Sequence, residues 1–102
     1  MLAAYRARGC IILDQSADQE STDLEKALTV VAGDGRCTRV VLLGAVAGID
    51  GRLDHTFATI NALYRFHSAL QVDVLATDML LRLLPTGVHA VEASPGSHCG
   101  LV

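Results

Sequence analysis

Three short apolar runs divide this chain, and they constrain its fold more than any other feature. The runs are CIIL at 10–13, RVVLLG at 39–44 and VDVLAT at 72–77. Apolar runs without strict alternation are typical of strands that are buried on both faces of a sheet. Helical patterns separate the runs, and a strand–helix–strand order joins parallel strands through right-handed crossovers. The sequence therefore predicts an α/β fold built on a parallel sheet with flanking helices.

A capping box marks the start of the first long helix. Thr22 and Glu25 have the T-x-x-E spacing in which each side chain can bond the other residue's backbone N–H. An apolar face follows at positions i, i+3, i+4 and i+7, and Gly33 or Gly35 is expected to end the helix. The residues of that face are Leu24, Ala27, Leu28 and Val31.

A second long helix is predicted over residues 54–68. Its inner stripe is expected to contain four apolar residues: Leu53, Phe57, Ile60 and Tyr64. At the start of the chain, LAAYRARG resembles a helix end that Gly9 closes. After the third run, MLLRLL, PTG and VHAV predict a β-hairpin around residues 85–87. The complete expectation is a Rossmann-like three-layer domain over residues 1–93 that ends in this hairpin.

The composition indicates a folded domain that binds neither nucleic acid nor membrane. Hydrophobic residues make up 51% of the 102 residues and charged residues 19%, as in folded globular proteins. The net charge is −3, and there is no basic stripe for nucleic acid. No apolar run approaches the roughly 20 residues of a membrane span, and no signal peptide is evident, so a cytoplasmic protein is expected. Without a C-x-x-C motif, the cysteines are expected to be ordinary, mostly buried thiols; they are Cys10, Cys37 and Cys99.

Acidic residues gather at the predicted carboxyl edge of the sheet, where open α/β sheets bind their ligands. Seven of the 11 acids fall there: Asp14, Asp18, Glu20, Asp23, Asp50, Asp54 and Asp78. Like charges repel unless a cation joins them, and carboxylate oxygens suit Mg²⁺ that is shared with substrate phosphates. Asp34 and Asp73 lie elsewhere and are expected to be solvated.

The loop between the second run and the second helix has the chemistry of a phosphate site. Its glycines allow close approach of the backbone, and a helix N-terminus favours anions. Arg52 could hold phosphate while Asp23 and Asp54 hold a metal. The competing interpretation is structural: the aspartates act as helix caps or first-turn acids, and Arg52 and Asp54 form a surface ion pair. The motifs of dinucleotide-binding, P-loop and serine-hydrolase folds do not occur.

Two stretches resemble the thiamine pyrophosphokinase family, also called thiamine diphosphokinase. They are DQESTDLEKAL at 18–28 and GRLDHTFATIN at 51–61. The family pattern is D-Q-x-x-T-D with a following lysine, and then G-R-x-D-H with a following asparagine. The matching residues are Asp18, Gln19, Thr22, Asp23 and Lys26, and then Gly51, Arg52, Asp54, His55 and Asn61. LLRLLPTGVHAV and HCGLV also resemble later parts of the family, so the likeness covers nearly the whole chain.

The resemblance implies transfer of a pyrophosphoryl group from ATP, as co-substrate, to the hydroxyl of thiamine, with Mg²⁺ and in a homodimer. Catalysis would consist of positioning and charge neutralisation. The implied roles fall into three groups: catalytic Asp23, Arg52 and Asp54; nucleotide-binding Gln19, Thr22, Lys26, Gly51, Arg52 and His55; and metal-binding Asp18, Asp23 and Asp54.

The chain departs from the family pattern at both ends. The family has an upstream G-D-x-D-S motif with metal-binding aspartates, and a C-terminal β-sandwich domain that completes the thiamine pocket. Residues 94–102 are expected to begin the connection to that domain, and the Gly44–Asp50 loop is longer than usual. We therefore expect the central part of a two-domain enzyme, with little activity alone. The alternative is a non-catalytic nucleotide-binding or interaction module that retains the fold.

Overall fold

The computed structural model describes residues 1–44 and 52–102. Within those ranges the elements are α1 (Leu2–Ala7), α2 (Asp23–Asp34), β1 (Arg39–Leu43), α3 (Leu53–Phe66), β2 (Gln71–Leu75) and β3 (Leu80–Arg82). Helices and strands alternate through the middle of the chain, which confirms the predicted α/β class. None of the helices in these ranges has the length and apolarity needed to cross a membrane.

The sheet has three strands in the order β1-β2-β3. β1 and β2 are parallel, with Val40 opposite Val72, and α3 connects them. This unit confirms the predicted parallel crossover. β3 is antiparallel to β2, with Leu81 opposite Val74, so the sheet is mixed rather than wholly parallel.

The predicted first strand, at 10–13, is wrong. These residues form no strand, and Ile11 is 88% exposed. The amide of Cys10 bonds the carbonyl of Tyr5 and so closes the end of α1. An apolar run becomes a strand only where a neighbouring strand can receive its backbone hydrogen bonds, and apolarity alone does not supply that neighbour.

The predicted hairpin lies one segment too late in the chain. β3 folds back on β2 through a short turn in which the Ala76 amide bonds the Met79 carbonyl at 2.9 Å. The VHAV segment forms no strand, and Val88 is fully exposed. His89 instead bonds the Pro85 carbonyl through Nε2, at 2.7 Å. The LLR segment thus pairs with the free edge of β2, and this segment precedes the PTG turn in the chain.

The local helix signals are confirmed. The Thr22 Oγ1 accepts the Glu25 N–H at 3.2 Å, and the Glu25 carboxylate accepts the Thr22 N–H at 3.0 Å. Gly35 closes α2 with a φ of 71°, a left-handed conformation that costs glycine little. Gly9, at 79°, follows α1 in the same way.

The core lies between the two long helices and one face of the sheet. Its buried apolar residues are Leu28, Ala62, Leu63, Phe66, Leu70, Val72 and Val74. The predicted inner stripe of α3 is wrong, because Leu53, Phe57 and Tyr64 are all exposed. α3 carries apolar residues on two sides, and the buried side is the one with Ala62, Leu63 and Phe66.

The opposite face of the sheet is not covered by a helix in the described parts of the chain. Val41, Leu43, Leu75 and Leu80 are exposed there. Helices thus pack on one face of the sheet, and the third layer of the expected architecture does not appear in these ranges.

Asp73 lies on that uncovered face and is nevertheless only 2% exposed, so the expectation of a solvated carboxylate is wrong. Arg82 donates to it at 2.5 and 2.7 Å, and Arg39 donates at 2.6 and 3.0 Å. Hydrogen bonds from Arg82, and then from Arg39, lower the pKa of Asp73 to about 2 against the opposing effect of burial.

The prediction that the cysteines are mostly buried is wrong, because all three thiols are exposed.

Candidate functional site

A cleft of about 470 Å³ lies between the start of α2 and the start of α3. Six residues singled out from the sequence line it: Asp18, Gln19, Thr22, Asp23, Lys26 and His55. Five of them come from the first motif and one from the second. The fold therefore brings the two motifs together at one concave surface.

The loop before α2 is held by its own polar side chains. Asp18 Oδ1 accepts the backbone N–H groups of Glu20 and Ser21, each at 3.0 Å. The Gln19 amide donates to the Ser16 carbonyl at 2.5 Å. Hydrogen bonds from Ser21 and Glu20, with a smaller effect of the Lys26 charge, lower the pKa of Asp18. Asp18 is therefore ionised at neutral pH, and a carboxylate and an ammonium group line the same cleft.

Thr22 determines where α2 begins. Its side chain is engaged in the capping box with Glu25, so its first role is to fix the helix start. Asp23 and Lys26 then stand three positions apart in the first turn of the helix, a spacing that puts two side chains on the same side. The cap thus directs one acidic and one basic group into the cleft.

Arg52 and Asp54 bind each other at the start of α3. Arg52 Nε lies 3.0 Å from Asp54 Oδ1, and Arg52 Nη2 lies 2.5 Å from Asp54 Oδ2. Their side chains are 70% and 59% exposed. The Arg52 hydrogen bonds lower the pKa of Asp54 to about 2, and Asp54 raises the pKa of Arg52. Neither residue lines the cleft, so this geometry is that of the surface ion pair considered as the alternative.

His55 follows directly and lines the cleft from the first turn of α3. Ala58 and Thr59, at i+3 and i+4 from His55, line the same wall. Their helical spacing from His55 is the sequence signal that could have identified them. Ser21 and Leu24 were also missed. The predicted Gly51 lies outside the described residues, as does most of the loop before it.

The predicted set of three metal-binding carboxylates is not assembled. The part of the chain that is described holds no group of three or more His, Cys, Asp or Glu side chains placed to hold a metal ion. Asp18 and Asp23 line the cleft, whereas Asp54 is bonded to Arg52. Two carboxylates fit Mg²⁺ when the remaining ligands are phosphate oxygens and water, but they do not form a cage made of protein alone.

A larger cleft, of about 590 Å³, lies at the other end of α3. More than half of its lining residues are apolar, and three of its polar side chains are bonded within the protein. Arg82 binds Asp73, His89 bonds the Pro85 carbonyl, and His67 bonds the Tyr64 carbonyl. Volume favours this cleft, but the charged groups suited to phosphate and metal line the smaller one.

Comparison with known proteins agrees with the motifs. Residues 1–75 match the family described as "Thiamin pyrophosphokinase, catalytic domain". The chain belongs to this family. It is 42% identical over 106 residues to "Thiamine pyrophosphokinase 2" of Oryza sativa subsp. japonica, a match that covers 95% of the chain and 38% of the relative. "Thiamine pyrophosphokinase 1" of the same plant is 34% identical over 107 residues, with 96% and 39% covered.

A relative from a second plant gives the same proportions. "Thiamine pyrophosphokinase 2" of Arabidopsis thaliana is 32% identical over 109 residues, and the match covers all of the chain but 40% of the relative. The chain thus spans about two fifths of the length of the thiamine pyrophosphokinases it matches. The shared two fifths include both motifs of the cleft.

Proposed function

We propose that this chain is the nucleotide-binding part of a thiamine pyrophosphokinase, which transfers a pyrophosphoryl group from ATP to the hydroxyl of thiamine. The observation that carries the proposal is the cleft in which the two family motifs meet. Membership of the thiamine pyrophosphokinase family, and the names of the three relatives, support the reaction.

The charges of the cleft suggest how the nucleotide binds. Lys26 and the positive end of the α2 dipole attract the phosphates. Asp18 and Asp23 would hold Mg²⁺ together with phosphate oxygens. Gln19, Thr22 and His55 would line the nucleotide. We assign no general base, because positioning and charge neutralisation account for most of phosphoryl transfer.

Arg52 and Asp54 can act on the nucleotide and metal only if their ion pair opens. To grip a phosphate, Arg52 has to leave Asp54, and Asp54 then becomes available to the metal. Both side chains are exposed, and an exposed ion pair adds little to stability. A polyphosphate can therefore compete for the guanidinium. Gly51 would allow the backbone of the preceding loop to approach the same phosphates.

The remaining features of the whole protein are also proposals. We infer that residues 1–93 are part of a Rossmann-like three-layer domain and that residues 94–102 lead to a β-sandwich domain. The full-length enzyme would be a cytoplasmic homodimer that binds ATP and thiamine but neither nucleic acid nor membrane. Residues 1–102 alone would make little thiamine diphosphate, because the β-sandwich domain is needed to complete the thiamine pocket. Positioning of both substrates can supply roughly 7–11 kcal/mol of a barrier.

The ion pair between Arg52 and Asp54 favours one alternative. With both residues bound to each other, the cleft could hold a magnesium nucleotide without performing the transfer. This alternative predicts ATP binding with no product in any longer form of the protein. The enzyme assignment predicts both binding and product in the full-length protein.

Calorimetric titration of Mg²⁺·ATP into residues 1–102 tests the proposal. Asp23→Asn is expected to weaken binding at least about ten-fold and to reduce its dependence on magnesium, because a charge-assisted contact contributes about 1.5–3 kcal/mol. Asp34→Asn is the matched control, since Asp34 lies at the far end of α2 and binds Arg36. Equal affinity and equal magnesium dependence in wild type and Asp23→Asn would contradict the assignment.

A further inference from the structure

Glu25 connects the two helices that form the cleft. Its Oε2 accepts the Thr22 N–H at 3.0 Å, which completes the cap of α2. Its Oε1 accepts a hydrogen bond from Arg65 Nη1 on α3, also at 3.0 Å. One carboxylate therefore sets the start of α2 and fastens that start to the other helix.

The Glu25–Arg65 pair joins two helices, whereas each of the ion pairs with two exposed side chains in the described chain joins residues two positions apart. The Glu25 side chain is only 12% exposed, whereas Arg65 is 58% exposed. The Arg65 guanidinium also lies 5.8 Å from the ring centroid of Phe66, which belongs to the core. The guanidinium is thus held by a buried ring on one side and by a mostly buried carboxylate on the other. Hydrogen bonds from Thr22, and then from Arg65, lower the pKa of Glu25, so that it stays charged at neutral pH.

The geometry of the cleft depends on how α2 is rotated on α3. Apolar packing around Leu28 buries one side of α2, but hydrophobic contacts are not directional and tolerate small rotations. A hydrogen-bonded ion pair is directional. The bond from Arg65 reaches α2 at its first turn, the turn that carries Asp23 and Lys26, and α3 carries His55 on the opposite wall.

We propose that Glu25 and Arg65 are positioning residues of the nucleotide cleft, and that their ion pair holds the first turn of α2 in place against α3. This inference rests on the proposed function for its binding consequence. Its structural consequence can be measured without any nucleotide. Neither residue touches the nucleotide in this account, and both act through Asp23, Lys26 and His55.

The test is a double-mutant cycle with Glu25→Gln, Arg65→Gln and the double variant. Glutamine at position 25 preserves the capping box, because Gln serves there as Glu does. Each single variant is expected to weaken Mg²⁺·ATP binding about three- to five-fold, the scale of a partly exposed ion pair, and the double variant is expected to be no weaker than the singles. Arg65→Lys keeps the charge and should recover most of the affinity.

Arg36→Gln is the matched control. Arg36 forms an ion pair with Asp34, two residues away in the same segment, so this pair joins no two elements. The control variant is expected to leave both affinity and cleft geometry unchanged. Backbone amide NMR supplies the second measurement. In Arg65→Gln, but not in Arg36→Gln, we expect the resonances of Asp23, Lys26 and His55 to shift together, and in Glu25→Gln we expect the resonance of His55 to shift, because His55 is remote from position 25 in sequence.

The outcomes separate this proposal from the proposed function. If wild type binds no Mg²⁺·ATP, the proposed function fails for this chain, and the amide resonances alone decide the positioning role. Shifts in both pair variants with a silent control support it. If the folded variants keep the wild-type resonances at the cleft, or if binding is measurable and stays within two-fold of wild type, the proposal is overturned. If Arg65→Gln does not fold, the affinity and the His55 resonance of Glu25→Gln provide the same decision.

Discussion

Asp73→Asn is the substitution with the clearest expected effect on stability. Asp73 is nearly inaccessible to solvent and accepts hydrogen bonds from both Arg39 and Arg82. The asparagine has almost the same shape but no charge. It leaves the two guanidinium groups, on the strands that flank β2, without the carboxylate between them.

The size of the effect follows from the pKa of this carboxyl. The fall from 3.8 to about 2 corresponds to about 2–3 kcal/mol, since one pKa unit is about 1.4 kcal/mol. Removing one partner of a buried pair can cost about 3–5 kcal/mol. The arginines here can turn partly to solvent, however, because their side chains are 59% and 34% exposed. We expect a loss of about 2–3 kcal/mol in the free energy of unfolding near pH 7.

The sign of the pH dependence is fixed by the same shift. The folded pKa is depressed, so the ion pairs stabilise the protein fully above the unfolded value, and that stability is lost as the pH falls through the folded value near 2. Roughly half of the contribution should be gone at about pH 3. Urea unfolding followed by circular dichroism, for wild type and Asp73→Asn at several pH values, measures the difference directly.

Asp34→Asn is the control for this experiment, because its partner Arg36 is 84% exposed and such pairs contribute about 0–1 kcal/mol. A difference between Asp73→Asn and wild type below about 0.5 kcal/mol near pH 7 would refute the reasoning. A difference that stays constant down to about pH 3 would also refute it, since linkage requires the difference to shrink.

Three further substitutions test other parts of the structure. Leu28→Ala should lower the free energy of unfolding by about 2–4 kcal/mol in urea titrations, because Leu28 is fully buried, whereas Leu53→Ala at an exposed site should cost less than about 0.5 kcal/mol. Thr22→Ala should cost about 1 kcal/mol through loss of the cap, and unchanged unfolding would show that the cap contributes nothing. Arg52→Lys keeps the charge but loses the two-pronged contact with Asp54; we expect urea unfolding to stay as in wild type because the pair is exposed, while turnover of the proposed full-length enzyme falls. Native turnover in that variant would leave Arg52 as a surface pair only.

The features that the sequence predicted well are local. The capping box at Thr22, the glycine at position 35 and the parallel β1–α3–β2 unit depend on residues close in sequence or on a strong periodic pattern. The cleft was predicted from the carboxyl edge of the sheet, but only the second motif follows a strand in the described structure, and the first motif reaches the cleft because α2 packs on α3. Whether its residues perform the predicted roles stays a prediction.

The features that failed depend on partners far along the chain. The burial of Asp73 follows from strand register, which places it opposite Arg82, and no local pattern reveals that register. The buried side of α3 was predicted wrongly because the helix carries apolar residues on two sides, and contacts with α2 and the sheet, rather than the local pattern, bury the side with Ala62, Leu63 and Phe66. The run at 10–13 was apolar enough for a strand but has no strand to pair with in the described ranges.

The two arginines around Asp73 are expected to form their contacts with it at different stages of folding. Arg82 lies nine residues from Asp73, in a short hairpin, whereas Arg39 lies 34 residues away across α3. Short hairpins close in about 1–10 μs, and contacts across long loops form later. The Arg82 contact should therefore exist in the folding transition state, and the Arg39 contact should not. Loss of Arg82 would slow folding, while loss of Arg39 would mainly speed unfolding. The Asp73 carboxylate would thus stabilise the folding transition state through Arg82 and the native sheet through both arginines.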